Sequence, residues 1–582
     1  MAAVAPPVRD GESPSADDGA VVDAGGWWVL SWVGWLALAL TLAPLVVSAV
    51  HLTARYGHQY NPGGDLAMAE LLTRDVGRHP VLIGPFSRDG WHHPGPALFY
   101  LLAVPYRLLG SRATAMNVGA LAINAAAITG IALLARRRGG QALMLISLLA
   151  CGLLVRSLGP TELRLPWNPF VTVMPYALLV FLTWSLACGE RWALPLAVLV
   201  ASFLAQTHIG YVALAMPLVA VGAGWLVATT VARARDDGVP AVGAARSLLR
   251  PALLAVAVAV VMWLPPVYQE VARPTGNLTA AFRWFRGDGG ADEGPQTLRA
   301  GWRVVTSQLG LPPEWLTGSR GTISLSAEPV AMYRPLVPFL LLGVIAAAVV
   351  LARRHVTGGR SLVAVWALAS VVGVVAVART IGPVFEYRLG WSQVLGMVAG
   401  IVMAWACWLA LASWRPALEG RLLVPLALVA LAVLAVVGSV AHVQAGEPQP
   451  VQSAQIRGIM PAVVDGLPAG DGPVQVETAW SLEASAHAAS VALQLDRRGV
   501  DSVFTLGSTA AGEHRGAFDV ADVRARLLVA VGDGIAAVGE APGTTLLGRA
   551  DGAPDDGTGA PVDPVAVYLV DDGPDPGGQG AT

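Results

Sequence analysis

Lysine is absent from this sequence, so every basic side chain other than histidine is an arginine. Charge of either sign is scarce, since charged residues make up 13% of the 582 residues and the formal net charge is -2. A chain with so little positive charge lacks the basic surface that nucleic-acid binding needs, and we expect no nucleic-acid partner. We attribute the missing lysine to the coding bias of a GC-rich genome, not to chemistry.

Cysteine is also rare, and the chain has only Cys151, Cys188 and Cys407. All three fall inside or at the edges of long apolar segments, and none lies in a long polar loop. The pattern therefore supports neither a disulfide framework nor a zinc site. We expect these cysteines to serve packing.

Long apolar runs are what the sequence has in abundance. Hydrophobic residues make up 54% of the chain, the mean hydropathy is +0.57, and many runs are long enough to cross a bilayer as a helix. The sequence predicts a mainly α, polytopic membrane protein with eleven spans. These spans are placed at about 27–50, 113–135, 141–158, 167–187, 192–208, 210–232, 251–267, 335–352, 361–378, 390–414 and 421–441.

The orientation follows from arginine in the short loops. With eleven spans and a cytoplasmic amino terminus, the arginine-rich loops near 136–138, 191, 233–250, 353–360 and 415–421 all lie inside. A twelfth span at 94–110 would invert every later loop. That segment is short and holds three prolines, so we place it as an interfacial helix on the outer face. The predicted location is the plasma membrane.

The polar segments complete the domain plan. Residues 1–26 predict a disordered cytoplasmic tail, residues 27–444 the membrane domain, and 51–112 and 268–334 its long outer loops. Residues 445–572 predict a small extracytoplasmic α/β domain and 573–582 a disordered tail. In that domain we expect strands at 474–478, 502–505, 526–531 and 565–570, a helix at 481–498, and a loop at 543–564.

The first outer loop has the most unusual local sequence. Asn61-Pro-Gly-Gly-Asp65 brings an aspartate to the start of a helical pattern, and Trp91-His92-His93-Pro94 precedes an apolar helix that ends in Tyr106-Arg107-Leu-Leu-Gly110. This order and spacing resemble the first outer loop of the GT-C superfamily of membrane glycosyltransferases. These enzymes use polyprenyl-phosphate sugars and include protein mannosyltransferases and the lipid A aminoarabinose transferase. The resemblance covers about the first 440 residues.

The resemblance implies an inverting glycosyltransferase with Asp65 as its general base. The donor would be a polyprenyl-phosphate sugar, and the acceptor a hydroxyl of a cell-envelope glycan, lipid or protein on the outer face. Another interpretation makes Asp65 a helix N-cap, although Met68 stands where a capping box needs Glu or Gln. Glu70 is a secondary candidate that lies about 140° further around the helix.

His92 and His93 stand before a helix start, where backbone N–H groups and imidazoles suit a phosphate. They equally suit an interfacial helix start, where proline is well tolerated. Arg88 joins the candidate phosphate-binding residues on its position alone.

Asn168 stands where many GT-C enzymes have a second acidic residue, within a Leu-Asp-Pro-Phe-like segment. This departure puts a two-carboxylate metal site in doubt, although an amide can still bind a sugar hydroxyl or orient Asp65. Glu162 is a weaker substitute for the missing acid. No metal ligand is assigned, and a divalent cation, Mg²⁺ or Mn²⁺, is the only cofactor that the resemblance leaves open.

Two further polar segments contribute candidates. Gln206 and His208 interrupt an almost uncharged stretch, a costly position for polar groups unless they face a cavity or a partner; a similar Gln-x-His occurs in the GT-C relatives. Tyr387 and Arg388 lie in an outer turn, and Arg388 is the candidate that neutralises the lipid phosphate.

Two other functions stay open. A transporter or flippase of a lipid-linked sugar would need ionisable residues deep in the spans, and few are seen. A non-catalytic envelope-assembly protein would act through its outer α/β domain. We expect deletion beyond about residue 445 to spare some catalysis if the membrane domain holds the site.

Overall fold

The structure is a computed structural model that describes residues 30–87, 89–287, 294–317, 338–356, 358–382, 384–415, 419–479, 481–504, 513–516, 522–554 and 561–570. Helices build the part up to residue 444. They are α1 (Trp32–Tyr56), α2 (Asp65–Asp75), α3 (Ala97–Leu108), α4 (Ala113–Arg164), α5 (Val173–Ala187), α6 (Ala193–Thr207), α7 (Gly210–Asp236), α8 (Ala241–Ala272), α9 (Asn277–Arg286), α10 (Leu298–Ser307), α11 (Glu314–Thr317), α12 (Phe339–Arg353), α13 (Gly359–Ala378), α14 (Gly390–Ala412) and α15 (Val424–Gln444).

All eleven predicted spans coincide with helices. Within the described residues, seven helices are long and apolar enough to cross a membrane: α1, α4, α7, α8, α13, α14 and α15. The 52-residue α4 covers two predicted spans, because its backbone leaves the helical conformation at Gly139 and Gly140. Gly140 has φ +69°, which glycine adopts without steric cost. The apolar helices α5, α6 and α12 have 15 residues each.

The spans bury one face and expose another apolar face. In α15, Val429, Val433 and Val436 are more than half exposed and share one side of the helix by their spacing. On the other side, Gly438 packs against Pro44 of α1. An apolar outer surface of this kind suits lipid and not water. The chain is thus a multi-pass membrane protein.

Helix α3 corresponds to the segment that we predicted to lie in the interface. Its 12 residues span roughly 18 Å, well short of a bilayer core. It packs on α4, and its exposed residues include Leu101, Val104 and Leu108. The segment between α1 and α4 therefore has two short helices, α2 and α3.

The part beyond residue 449 is a small α/β domain. It has α16 (Pro450–Asp465), β1 (Val474–Thr478), α17 (Leu482–Arg497), β2 (Ser502–Phe504), β3 (Ala525–Val531), α18 (Gly534–Gly539), β4 (Thr544–Ala550) and β5 (Val565–Val570). The strand order is β2-β1-β3-β5-β4, with β2, β1 and β3 parallel and β5 antiparallel to both β3 and β4. The predicted fold class is confirmed.

The loop predicted at 543–564 is wrong in part, because β4 lies there. Among the described strands it pairs with β5 alone, and all of its residues, including Leu546, are half-buried or exposed. Its register shifts between Leu546 and Gly548. Strands are recognised in a sequence by a regular alternation of apolar and polar residues. An edge strand with an irregular register does not need that alternation, so the sequence did not predict β4.

Two hydrophobic cores meet at α2. The larger core lies among the membrane helices and includes Ala69 and Leu72 of α2. The smaller core lies in the α/β domain and includes Ala67, Met68 and Leu71 of the same helix. Helix α2 therefore packs between the membrane domain and the C-terminal domain.

Candidate active site

Asp65 is the first residue of α2, and its side chain is exposed. Gly64 takes the cap position with φ +55°, a conformation that favours glycine. The structure therefore does not support the interpretation of Asp65 as the N-cap. Instead, the Asp65 carboxylate accepts a hydrogen bond of 2.8 Å from Nε1 of Trp167.

Trp167 links Asp65 to the predicted cationic turn. Its ring lies 4.8 Å from that of Tyr387, which stacks on Phe385 at 5.5 Å. The guanidinium carbon of Arg388 lies 5.2 Å from the Phe385 ring centre and 5.6 Å from the Tyr387 ring centre. The carboxylate of Asp65 and the guanidinium of Arg388 thus both contact one aromatic platform, formed by Trp167, Tyr387 and Phe385.

Arg388 belongs to a short 3₁₀ turn, Glu386–Arg388, directly before α14. Its guanidinium contacts aromatic faces by cation–π interaction. Among the described residues, no carboxylate forms an ion pair with it. Its five N–H donors can therefore serve an added anion.

Two predicted histidines lie beside Arg388. The rings of His93 and His208 stack with centres 4.6 Å apart. Nδ1 of His93 accepts from the backbone N–H of Ile209 at 3.2 Å, and Nδ1 of His208 accepts from that of Gly210 at 3.1 Å. A neutral ring in this arrangement carries its proton on Nε2, where it can donate to a ligand.

Burial keeps the histidines neutral. It lowers the pKa of His92 to about 4, and burial followed by the charge of Arg388 lowers the pKa of His208 to about 3. Burial, then His208 and Arg388, holds the pKa of His93 well below its usual value. At neutral pH these rings offer N–H donors, while Arg388 offers the positive charge.

The backbone of His92 and His93 is fixed from a distant element. Asn277, at the start of α9, accepts from the backbone N–H of His92 at 2.7 Å and donates to the carbonyl of His92 at 3.0 Å. The carbonyl of His93 accepts from Gly84 at 3.0 Å. The segment at the start of α9 therefore helps to shape the histidine segment.

Gln206 is used inside the helix bundle. It is fully buried, its Nε2 donates to the carbonyl of Met262 at 2.7 Å, and its own backbone carbonyl accepts from Gly95 at 3.2 Å. The side-chain oxygen lies against Gly95, which leaves no room for a β-carbon there. These contacts connect α6 with α8 and with the start of α3.

The other two secondary candidates do not join Asp65. Glu70 is completely buried and pairs with Arg497 at 2.6 Å. Glu162 lies near Gly390 at the start of α14. If Gly390 carried a β-carbon, Oε2 of Glu162 would be 3.8 Å from it. Arg88 lies outside the described residues.

Asn168 lines the same apolar groove as Asp65. The groove is small, with a cavity volume of about 10 Å³. Its walls come from α2, α3 and the turn before α5, with Asp65, Met68, Leu72, Phe86, Leu98, Phe99, Trp167 and Asn168 among the lining residues. Asn168 is buried, so the side chain at the expected second acidic position faces the site as an amide. This groove does not fit a two-carboxylate metal site.

A second group could hold a metal ion by its chemistry. Ligand atoms of Asp75, His79 and His514 lie within 4.8 Å of one another. Asp75 is at the opposite end of α2 from Asp65, roughly 15 Å along the helix. Both of its oxygens already accept hydrogen bonds from Arg515, at 2.6 and 2.9 Å. This group is separate from the groove and is occupied by an ion pair.

Sequence reasoning did not assign a role to Trp167 or to Arg497. Trp167 was visible as an interface tryptophan beside Asn168, but its partner Asp65 is 102 residues away. Arg497 is 427 residues from Glu70, in the α/β domain. Only a fully buried acid that requires a counter-charge would have indicated such a partner.

The structure is similar to several solved structures. ArnT from Cupriavidus metallidurans bound to undecaprenyl phosphate matches with a TM-score of 0.51 and 15% identity, over 92% of this chain and 98% of that one. The apo state of the same protein matches with a TM-score of 0.53 over the same shares. The apo oligosaccharyltransferase of Archaeoglobus fulgidus matches at 0.46, with 13% identity over 86% of this chain and 69% of that one.

No protein-family profile and no curated protein matches this sequence. At these low identities, the structural matches establish the fold and do not establish the activity. The ArnT matches extend over both the membrane helices and the C-terminal part, because they cover 92% of the chain. The chain therefore has the fold of ArnT.

Proposed function

We propose that this protein is a glycosyltransferase that moves a sugar from a polyprenyl-phosphate donor to an acceptor hydroxyl at the extracytoplasmic face. The observation that carries the proposal is that an exposed carboxylate, Asp65, and the guanidinium of Arg388 both contact the aromatic platform that contains Trp167 and Tyr387. A base for the acceptor and a cation for the leaving phosphate are the two groups this reaction needs. The ArnT structure bound to undecaprenyl phosphate supports the donor class.

The proposed reaction is a single displacement. Asp65 takes the proton of the acceptor hydroxyl, whose oxygen attacks the anomeric carbon from the face opposite the phosphate. The bond between that carbon and the phosphate oxygen breaks, and the sugar is transferred with inversion. The lipid phosphate leaves as an anion and needs no proton.

The leaving phosphate requires positive charge and hydrogen-bond donors. Arg388 supplies the charge, and the Nε2–H groups of neutral His93 and His208 add donors beside it. His92, Tyr387, Asn168 and, by its position, Arg88 complete the proposed substrate contacts. Such preorganised donors count most where water is excluded.

A prenyl chain gains roughly 25 cal/mol for each Å² of apolar surface that it buries. We place the chain of the donor along the exposed apolar surface of the membrane helices, with its phosphate near Arg388. We assign no step to Mg²⁺ or Mn²⁺, because Asn168 faces the groove where a second carboxylate would be required.

Transfer from a panel of radiolabelled polyprenyl-phosphate sugars, supplied with an extract of envelope acceptors, tests the proposal. Membranes contain the unmodified protein, Asp65→Asn, or the control Asp533→Asn, which changes an exposed aspartate before α18. We expect transfer with the unmodified protein and the control, and a loss of about 10²–10⁴-fold with Asp65→Asn. Full activity in Asp65→Asn would remove Asp65 from the mechanism. No transfer from any donor, with the protein folded, would favour a transporter or an assembly protein.

A further inference from the structure

Helix α2, which begins with Asp65, is held by the C-terminal domain along one side. Ala67, Met68 and Leu71 belong to the same hydrophobic core as Val491 and Leu495 of α17. Each of these five residues is less than 5% exposed. The helix that carries the proposed base is thus part of the folded core of a domain that begins about 380 residues later in the sequence.

The turn before Asp65 is bound to the same helix, α17. The backbone N–H of Gly64 donates to the carbonyl of Ala486 at 3.0 Å, and the hydroxyl of Ser490 donates to the carbonyl of Pro62 at 3.0 Å. Nε2 of Gln494 donates to Oδ1 of Asn61 at 2.7 Å. Successive turns of α17 therefore fix the chain up to the residue directly before Asp65.

A buried ion pair completes this attachment. Glu70 is 0% exposed, and its two oxygens accept from Nη2 of Arg497 at 2.6 and 2.7 Å. The hydroxyl of Tyr106 in α3 donates to the same carboxylate at 2.8 Å. Glu70 lies five residues after Asp65 on a rigid helix, so a displacement of one displaces the other.

Further pairs hold the far end of α2. Arg74 pairs with Asp496 at 3.3 Å, and Asp75 pairs with Arg515 at 2.6 Å. Arg515 in turn contacts Asp496 at 3.2 Å. Unlike Arg497, these residues act at the end of the helix that is distant from Asp65.

We infer that the C-terminal domain positions the proposed catalytic helix, with Arg497 as the positioning residue through its ion pair with Glu70. The inference rests on the proposed function for its catalytic consequence. Arg497 acts through Glu70 and does not itself touch the substrate. It fixes Glu70, hence α2, and hence the carboxylate of Asp65 relative to Arg388.

The test compares Arg497→Met with the control Arg526→Met. Arg526 pairs with Glu477 at 3.1 Å between β3 and β1, so the control breaks an ion pair of the same domain without touching α2. Hydrogen–deuterium exchange of residues 65–75, kcat and donor KM are measured for each protein. We expect Arg497→Met to increase exchange in residues 65–75 and to lower kcat by up to about 100-fold, as a misplacement near 1 Å can do. Donor KM should change less than kcat, and the control should change neither exchange nor kcat.

Two more variants separate positioning from folding. Arg497→Lys retains the charge and should recover part of kcat, and it serves as the test variant if Arg497→Met does not fold. The double variant Glu70→Gln/Arg497→Met leaves no buried charge unpaired. Positioning predicts that its melting temperature recovers while kcat stays low. If both the melting temperature and kcat recover, the role of Arg497 is purely structural and the inference is overturned.

The exchange measurement keeps this inference distinct from the proposed function. Increased exchange in residues 65–75 with an unchanged kcat would overturn the positioning role, and unchanged exchange would overturn the attachment itself. If the unmodified protein transfers no sugar from any donor, the proposed function fails and the catalytic part of the inference fails with it. The exchange result would then decide the attachment alone.

Discussion

Nε1 of Trp167 donates a hydrogen bond of 2.8 Å to Oδ2 of Asp65. The bond orients an exposed carboxylate at the first residue of α2. It also joins the start of α2 to the turn before α5, and through the ring of Tyr387 to Arg388. Trp167 is therefore the residue that connects the proposed base with the proposed phosphate site.

Replacing Trp167 with phenylalanine should lower turnover. Trp167→Phe removes the N–H donor but keeps an aromatic ring beside Tyr387. Because a hydrogen bond to a charged group is lost, we expect kcat to fall about tenfold. Steady-state transfer measurements give kcat and donor KM. Trp414→Phe is the matched control, since Trp414 is 84% exposed at the end of α14. Equal kcat in the two variants would contradict the orienting role.

Arg388→Gln should weaken both donor binding and turnover. It removes the positive charge that faces the leaving phosphate, and a single preorganised donor of this kind is worth about 10²–10³ in kcat. The kcat of Arg388→Lys should lie between those of the unmodified protein and Arg388→Gln, because lysine keeps the charge and loses the planar guanidinium. Arg379→Gln, an exposed arginine nine residues earlier, is the control. Unchanged kcat and donor KM in Arg388→Gln would exclude it from the phosphate site.

Part of this architecture could be predicted from the sequence. Apolar length located the membrane helices, and the proline-bearing segment before Gly110 forms the short helix α3; its place in the membrane interface stays a prediction. Asp65 at a helix start and Arg388 in an outer turn were both visible locally. Their proximity was not, because it depends on how α2, α5 and α14 pack.

The rest could not be predicted because it consists of pairings over long separations. Asp65 meets Trp167 across 102 residues, and Glu70 meets Arg497 across 427. Periodicity reports which face of a helix is buried, not which helix covers it. The expectation that some catalysis survives deletion beyond residue 445 was also formed without knowledge of these long-range contacts. The deletion would expose Ala67, Met68 and Leu71 and leave Glu70 without Arg497, so we now expect it to abolish activity.

Acidification should destabilise the protein through His92. Its pKa is lowered by burial to about 4, against about 6.5 in an unfolded chain. Between these values the unfolded state binds the proton and the folded state does not, so stability falls as pH falls from about 6.5 to 4. The full effect is roughly 3 kcal/mol. Melting temperatures at pH 7 and pH 4.5 measure it.

The variant His92→Gln isolates that contribution. A neutral amide does not titrate, so the difference between the melting temperatures at pH 7 and pH 4.5 should be smaller than in the unmodified protein. His487, in the α/β domain, is also buried with a lowered pKa. His487→Gln should reduce the acid sensitivity of that domain but leave the contribution of His92. An identical pH dependence in His92→Gln and the unmodified protein would contradict the assignment.

Asn168→Asp should make the reaction dependent on a divalent cation. The variant places a second carboxylate in the groove that Asp65 lines. Two nearby carboxylates disfavour each other's ionisation and raise the pKa of the pair, so turnover at neutral pH should fall in EDTA. Mg²⁺ or Mn²⁺ takes carboxylate oxygens as ligands and should restore turnover by offsetting that repulsion.

The unmodified protein and a double variant serve as controls for the Asn168→Asp experiment. Asp65→Asn/Asn168→Asp has a single carboxylate in the groove, so metal should restore nothing there. The unmodified protein should transfer sugar equally in EDTA and in Mn²⁺, because its groove presents an amide at position 168. If the unmodified protein instead loses transfer in EDTA and regains it with Mn²⁺, a cation binds through Asp65 without a second acid from Asn168. The cation and Arg388 would then together neutralise the negative charge of the leaving phosphate.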